Sequence, residues 1–470
     1  MNGGASTGMT RSDRARLAPA ALVLAALVGH AWLHVAAAMT LPVPWPDELH
    51  FALPSIALLD HGDFHSPALH AERPLMWMPL GYAVLMTPVY ALFGPSLVAA
   101  RTISWLAISM SAVLLWRLTA GAGRPWAGAI AAAAFALHPA VVASGNVARM
   151  DAAVLLMALL GVWLMARRIA WPGFAVLCAA PLVHPNGLYY CLVGLGALVI
   201  VRPKRPRRRE AALLVAVALA WLGYTAHVLA HWDGFVADMG FQLARKGGRD
   251  LMATLAGQHT LRLVVLLALL AEAGRRRRWS WLAAVAIPSW VLARVGHEMW
   301  YEPFDAVVGA ALIVVSVDAA LSWASTRSSK HAGRVGLAIV VAAIGWLLRA
   351  DRPHLPNALQ WKGMGVRQSP YVKAGERLAV DQAIAQLAAT RIEVFPRGDA
   401  LLLLQGLGDR LVDPVRSGAT GSVRIVHESP AHPKRWRERA TAFLARAPQP
   451  VLLHRDRDTA WWAVPVVAGN

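Results

Sequence analysis

Residues 17–39 read LAPAALVLAALVGHAWLHVAAAM, a stretch without Asp, Glu, Lys or Arg that is long enough to cross a bilayer as one helix. Arg11, Arg14 and Arg16 precede it, and basic residues beside a membrane helix favour the cytoplasmic side. The whole chain of 470 residues is 57% hydrophobic and 16% charged, with mean hydropathy +0.45. Soluble domains carry about 25% charged residues. The sequence therefore predicts a polytopic membrane protein.

Eleven further apolar runs follow the first one. Ten of them are predicted to cross the membrane, namely 96–116, 126–144, 152–166, 169–183, 187–201, 211–230, 261–271, 279–295, 304–323 and 335–348. The remaining run, 75–93, is predicted to lie in the outer interface, because prolines interrupt it and because every arginine-rich loop then faces the cytoplasm. The net charge of +19 therefore lies mostly in loops beside anionic lipid and indicates no nucleic-acid partner.

This topology divides the chain into three parts. Residues 1–16 are a cytoplasmic segment, 17–350 an all-α membrane bundle of about 11 transmembrane helices, and 351–470 a small extracytoplasmic α/β domain. In that last part the residue pattern predicts helices at 374–389 and 433–447, and strands at 391–395, 423–427, 451–454 and 460–467. The two cysteines, Cys178 and Cys191, lie in apolar runs and exclude a disulfide scaffold.

The first predicted outer loop opens a helix with two carboxylates, in the sequence PWPDELHF at residues 44–51. Adjacent helical positions point about 100° apart, so Asp47 and Glu48 cannot serve one substrate atom. One of them is expected to face a cavity while the other braces the scaffold. The alternative is that Asp47 only caps the helix and that Glu48 only complements its dipole.

Further charged residues gather at the same predicted membrane boundary. Arg149 and Asp151 follow the third span, and Arg101 lies about one turn inside the second. Such residues are costly there unless they face a polar cavity or each other, although Asp151 could also be a helix cap. Arg101 is expected to need an anionic partner, either a carboxylate or a lipid phosphate.

Other candidates are placed on the outer face by the topology alone. Arg73 opens the interfacial segment, and His184 follows one span. His297 and Tyr301 follow another span, where interfacial anchoring by aromatic residues is the competing interpretation. The loop with His61, Asp63, His65 and His70 offers metal-ligand residue types, but its spacing matches no recognised ligand pair. No nucleotide-binding loop appears.

Taken in order, these motifs resemble the GT-C membrane glycosyltransferases, in the branch of the protein O-mannosyltransferases and the aminoarabinose transferases of lipid A. The resemblance covers about 17–323. It implies that Asp47 is the catalytic base, that Glu48 is its partner and that Asp151 helps shape the acceptor site. The sequence departs from the pattern at three places: Arg73 stands where the family usually has Lys before two prolines, His184 stands for Lys, and residues 297–303 lack the Arg of Arg-Tyr-x-x-Pro.

The function implied is inverting transfer of a sugar from a polyprenyl-phosphate donor to an extracytoplasmic acceptor: a glycolipid, a cell-envelope glycan or a protein. A carboxylate base would deprotonate the acceptor hydroxyl. Cations would stabilise the leaving phosphate, and the candidates are Arg73, Arg101, Arg149, His184 and His297. Tyr301 is a further expected substrate-binding residue. The resemblance leaves metal dependence open, and Asp47 and Asp151 could in principle share a divalent metal ion. The expected location is the bacterial inner membrane.

Two other functions stay open. A transporter or flippase for a lipid-linked sugar would also need a polar cavity, but transporters place their polar residues near the bilayer midplane, in repeated halves. A non-catalytic assembly factor would explain the long polar tail, which would then recruit a partner.

Overall fold

The fold is given by a computed structural model. It describes residues 11–37, 44–70, 72–121, 123–246, 280–295, 301–326, 374–403, 407, 410–412, 423–430, 432, 434–447, 449–456 and 459–466. Helices form the described membrane region up to residue 326, and a four-stranded sheet with flanking helices forms the described C-terminal part. The predicted spans 261–271 and 335–348, and His297, lie outside the described residues.

The membrane region contains a series of apolar helices, beginning with α1, which is the helix of the opening stretch. The described helices are α1 Arg11–Ala37, α2 Pro46–His61, α3 Gly81–Phe93, α4 Leu97–Gly121, α5 Pro125–Leu137, α6 Pro139–Gly145, α7 Met150–Ala166, α8 Ala170–Val183, α9 Gly187–Val201, α10 Arg208–Ala230, α11 Trp232–Lys246, α12 Ser280–Val295 and α13 Glu302–Thr326.

Three of the described helices are long and apolar enough to cross a membrane. They are Leu17–Val35 within α1, all of α4, and α10. The pair α5 and α6 would make a fourth span bent by 62° at His138, where Pro139 follows. Four other described helices predicted as spans, α7, α8, α9 and α12, are apolar but shorter. A helical membrane protein is therefore supported, while the number of eleven spans stays a prediction.

Close helix packing depends on glycine where α7 crosses α8. A Cβ atom added at Gly173 would lie 2.6 Å from the carbonyl oxygen of Gly161, and one added at Gly161 would lie 2.5 Å from the Leu177 side chain. Small residues let membrane helices approach at the backbone. This crossing places the beginning of α7, with Asp151, at a fixed position beside α4.

The predicted interfacial run is helical only in its second part. Residues 74–80 have no helix, and α3 begins at Gly81 and contains Pro88. A Cβ atom at Gly81 would lie 2.4 Å from the backbone oxygen of Leu182, so only glycine lets α3 begin against the end of α8. The irregular segment before α3 is thereby held close to α2, against which α3 also packs.

The C-terminal part is the predicted α/β unit. Its strands are β1 Ile392–Phe395, β2 Val423–Glu428, β3 Val451–Asp456 and β4 Thr459–Pro465, in the spatial order β1-β2-β4-β3. β1 and β2 are parallel, and the other two pairs are antiparallel. The helices are α14 Ala374–Ala385, a 3-10 helix Arg397–Leu402 and α15 Lys434–Arg446. The described elements match those predicted from the residue pattern to within a few residues.

The C-terminal part packs directly on the helix that carries the two adjacent carboxylates. Its 3-10 helix contacts α2, and Trp436 of α15 lies 6.0 Å, between ring centroids, from Trp45 just before α2. Trp436 is buried at this contact, whereas Trp45 is half-buried. The sheet domain therefore forms one wall beside the residues described next.

Candidate active site

The site begins at the first turn of α2. Pro46 stands at the start of the helix, where its fixed φ suits the helix and its missing N–H costs nothing. The backbone N–H of Trp45 donates to Glu48 Oε2 at 2.7 Å, and the N–H of Glu48 donates to the Trp45 oxygen at 3.0 Å. This reciprocal pair fixes the direction in which Asp47 and Glu48 leave the helix.

Glu48 is enclosed by the protein. Arg101 of α4 donates from Nε to Oε1 and from Nη2 to Oε2, both at 2.9 Å, and both side chains have no exposed surface. With the bond from the Trp45 N–H, and one from the N–H of Ala148 to Oε1 at 2.7 Å, the carboxylate accepts four hydrogen bonds. Arg101 thus has the carboxylate partner expected from the sequence, and the pair joins α2 to α4.

The loop before α7 is fixed from two sides. His34 Nδ1 of α1 lies 2.5 Å from Asn146 Oδ1, and the Ala148 N–H donates to Glu48 as described. Both contacts are buried, so they hold the backbone that leads into Arg149. The loop is therefore shaped before any substrate binds.

Arg149 is the hub of the site, because its guanidinium bridges two carboxylates. Its Nη1 donates to Asp47 Oδ2 at 2.8 Å and its Nε donates to Asp151 Oδ2 at 3.1 Å. The guanidinium carbon also lies 5.2 Å from the centre of the Phe51 ring. Ser104 Oγ accepts from the Arg149 N–H at 3.2 Å and donates to its oxygen at 3.0 Å, which anchors the backbone.

The charge on Arg149 is secured by its partners. Burial acts to lower the pKa of Arg149, but the attraction of Asp151 and Asp47 outweighs it and raises that pKa above its ordinary value. Tyr301 also contributes to the raised pKa of Arg149. A permanent cation therefore stands between the two carboxylates.

The three predicted catalytic carboxylates differ in exposure. The side chain of Asp47 is 17% exposed, whereas those of Asp151 and Glu48 are 1% and 0% exposed. Asp151 Oδ1 is buried and makes no hydrogen bond within the described residues. Asp47 Oδ1 lies 3.8 Å from His50 Nδ1, one helical turn further along α2. Of these three groups, Asp47 is the one that an incoming molecule can reach.

A small, mainly apolar recess lies beside this cluster. His50 and Phe51 line it from α2, Met150 from the start of α7, and Trp77 and Tyr82 from the segment around the start of α3. His50 lies 3.8 Å from Asp47, and Phe51 lies under the Arg149 guanidinium, so the pocket adjoins this cluster. Its lining suits an apolar ligand that carries a polar end group.

Arg73, an expected substrate-binding residue, has a carboxylate partner. Its Nη1 and Nη2 donate to Asp238 of α11 at 3.0 and 2.9 Å, and these hydrogen bonds raise the pKa of Arg73. Asp238 also accepts from the N–H of Met76 at 2.7 Å. A Cβ atom at Gly234 would lie 2.8 Å from the Arg73 side chain, so glycine makes room for it. The geometry ties the segment before α3 to α11.

His184 is buried at the end of α8, and its Nδ1 accepts from the N–H of Asn186 at 3.0 Å.

The site residues that the sequence did not single out include His50, Ser104 and Asp238. His50 carries a usable signal, since it stands one helical turn after Asp47, where side chains of one face meet. Asp238 carries none in the sequence beyond its place in a predicted outer loop.

The described residues give two results on metal binding. The position between Asp47 and Asp151 is taken by the Arg149 guanidinium, so this pair does not form an open two-carboxylate site. In the loop at 61–70, His65 Nε2 lies 2.9 Å from the backbone oxygen of His70. The described residues of this loop do not form a group of three or more close metal-ligand side chains. One such cluster occurs in the described chain, formed by Asp399, His427 and His432.

Comparison with solved structures identifies the architecture. The chain is similar to ArnT from Cupriavidus metallidurans bound to undecaprenyl phosphate, with a TM-score of 0.52 and 19% identity over 96% of this chain and 98% of that one. The apo state of the same ArnT has a TM-score of 0.48 and 18% identity, over 94% of this chain and 97% of that one. The Archaeoglobus fulgidus oligosaccharyltransferase has a TM-score of 0.47 and 12% identity, over 89% of this chain and 68% of that one.

The first of these likenesses shows that the chain shares the fold of that ArnT. By sequence, no family model and no curated protein matches the chain. A membrane location is supported, while the bacterial inner membrane and the orientation stay predictions.

Proposed function

We propose that the protein is an inverting glycosyltransferase that moves a sugar from a polyprenyl-phosphate donor to an extracytoplasmic acceptor. The observation that carries this proposal is the arrangement of Asp47: it is a partly exposed carboxylate, oriented by a buried arginine, at the edge of an apolar pocket. A lipid-linked sugar has the matching chemistry, since its chain is apolar and its reactive end is polar.

The chemistry follows from this placement. Asp47 takes the proton of an acceptor hydroxyl while the hydroxyl oxygen attacks the anomeric carbon. The bond from that carbon to the phosphate oxygen breaks, its electrons stay on the prenyl phosphate, and the anomeric centre inverts. General-base catalysis of this kind contributes about 10²–10⁴-fold. Arg149 holds Asp47 in position through a charge-assisted hydrogen bond.

The other predicted catalytic residues take different roles in this mechanism. Glu48 and Arg101 brace α2 against α4, because each is fully buried and committed to the other. Asp151 positions Arg149 from the side opposite Asp47. Arg149, His184 and His297 remain proposed sources of positive charge for the leaving phosphate.

The pocket is the proposed binding site for part of the donor. We assign it to the apolar part of the lipid-linked substrate next to the phosphate, since Leu75, Met78 and Pro79 line it together with aromatic rings. ArnT, whose fold the chain shares, has been solved with undecaprenyl phosphate bound. That neighbour supports a prenyl phosphate as the product, while the sugar and the acceptor are left open.

The test uses cells that lack this protein, complemented with the wild type, Asp47→Asn or Asp60→Asn. Asp60 is the matched control, since it lies on the same helix but is exposed at the far end. Mass spectrometry of surface glycolipids and glycans should show a missing sugar that the wild type and the Asp60 variant restore. Asp47→Asn should restore none while reaching the same level in the membrane.

Two outcomes would contradict the proposal. If Asp47→Asn restores the sugar fully, Asp47 is not the base. If purified protein moves a lipid-linked sugar across vesicles without covalent transfer, the flippase interpretation replaces the enzyme.

A further inference from the structure

Three side chains with metal-ligand chemistry converge inside the C-terminal part, and none of them belongs to the site described above. The ligand atoms of Asp399, His427 and His432 all lie within 4.8 Å of one another, and all three side chains are buried. We propose that they bind a zinc-class divalent cation that holds this domain together. Nothing in the glycosyltransferase mechanism uses these residues, so the site is a separate property of the chain.

The topology explains why the residues meet. β1 and β2 are parallel, with Phe395 beside Val426, so their carboxyl ends open at the same edge of the sheet. Asp399 follows β1 in the 3-10 helix, while His427 is the second-last residue of β2 and His432 lies in the turn after it. The two histidines have the spacing H-x4-H, which is within the range found in structural zinc sites.

The distances fit one ion. Zn–N and Zn–O bonds of about 2.0–2.2 Å in a tetrahedral site place two ligand atoms roughly 3.3 Å apart. His427 Nδ1 lies 2.7 Å and His432 Nε2 lies 3.6 Å from Asp399 Oδ2, on either side of that value. Shifts of less than about 1 Å would complete the geometry.

Charge supports the same conclusion. The Asp399 side chain is fully buried, 2.7 Å from His427 Nδ1 and 3.6 Å from His432 Nε2. A buried carboxylate anion needs a compensating cation, and imidazole with carboxylate is a donor set suited to zinc. When the ion binds, the proton between His427 Nδ1 and Asp399 is released to solvent, so both atoms become ligands.

The surrounding residues prepare the ligands. The His427 ring stacks on Trp461, with 3.8 Å between centroids and 7° between planes. Trp461 Nε1 in turn donates to Glu376 Oε1 at 2.8 Å, which fixes the indole. Orientation of a ligand by locked neighbours is typical of designed and natural metal sites.

The experiment measures metal in the purified full-length protein, expressed with zinc or cobalt in the medium. The wild type should contain about one ion per chain by mass spectrometry of the elements, and its Co²⁺ form should show the intense visible absorption of tetrahedral cobalt. Asp399→Asn and His432→Ala should each lower metal retention by more than about 10-fold, since even residues that only support a ligand cost 10–100-fold.

His454→Ala is the matched control, because His454 is a half-buried histidine of β3 outside the cluster. It should keep both the ion and the spectrum. If the wild-type protein contains no stoichiometric metal after growth with either zinc or cobalt, the proposal is wrong. The three residues would then form only a hydrogen-bonded triad. Metal that stays bound, with an unchanged cobalt spectrum, in folded Asp399→Asn and His432→Ala proteins would overturn it as well, since the ion would then lie elsewhere.

Discussion

Two adjacent residues at the start of α2 have different environments, although the sequence lets them look alike. Asp47 shares Arg149 with Asp151 and keeps 17% of its side chain exposed, while Glu48 is buried against Arg101. Only the exposed carboxylate can exchange a proton with a substrate. Neighbouring groups and access to the pocket therefore distinguish the proposed role of Asp47 from that of Glu48.

We predict that Glu48→Gln destabilises the fold. Gln removes the charge that compensates Arg101, and breaking a buried ion pair costs about 3–5 kcal/mol. The variant should show a lower Tm in detergent and less protein in the membrane, whereas Asp47→Asn should keep a near wild-type Tm. A Glu48→Gln protein of normal Tm that transfers no sugar would instead give Glu48 a catalytic role.

At the scale of elements, the pair of Arg73 and Asp238 connects the irregular segment before α3 to α11. That segment supplies Trp77 to the pocket wall. If the pair acts by positioning this wall, losing either partner releases the same segment. If Arg73 instead binds the donor phosphate, as the sequence resemblance implies, only the arginine matters directly.

A double-mutant cycle separates these roles. We predict that Arg73→Ala and Asp238→Ala raise KM for the lipid donor by similar factors, and that the double variant is no worse than either one. The coupling energy of contacting pairs is about 0.5–3 kcal/mol. Initial rates over a range of donor concentrations give the KM of each single variant and of the double variant relative to the wild type. A much larger loss in Arg73→Ala than in Asp238→Ala would place the guanidinium on the substrate.

The elements also show how far the sequence leads. Apolar runs predict most of the described helices of the membrane region, although α11 lies in a stretch that the sequence predicts only as an outer loop. The residue pattern predicts the strands of the C-terminal sheet, because periodicity is a local signal. Asp47 and Arg149 are found through their chemistry at the membrane boundary. The partner of Arg73 is 165 residues away, and no local pattern encodes such a contact. The cluster at Asp399 needs the parallel pairing of β1 with β2 to be known first.

For the whole molecule, the C-terminal part carries its own sheet and also packs beside the candidate site. Trp436 lies 6.0 Å from Trp45, whose backbone N–H holds Glu48. The 3-10 helix that carries Asp399 packs on α2. Disturbing this contact should therefore affect catalysis without touching a reacting atom.

We predict that Trp436→Ala lowers kcat for sugar transfer by about 10-fold or more, since small misplacements of catalytic groups cost up to about 10²-fold. Trp462→Ala is the control. Trp462 lies in β4 and donates to Glu428 Oε2 at 2.9 Å, so its loss perturbs the domain without removing the contact to Trp45. The two variants are compared by kcat and by Tm. If both lose activity in proportion to the fall in Tm, domain stability alone accounts for the effect. A loss specific to Trp436 means that the domain helps to hold α2, and with it Asp47, in the reactive position.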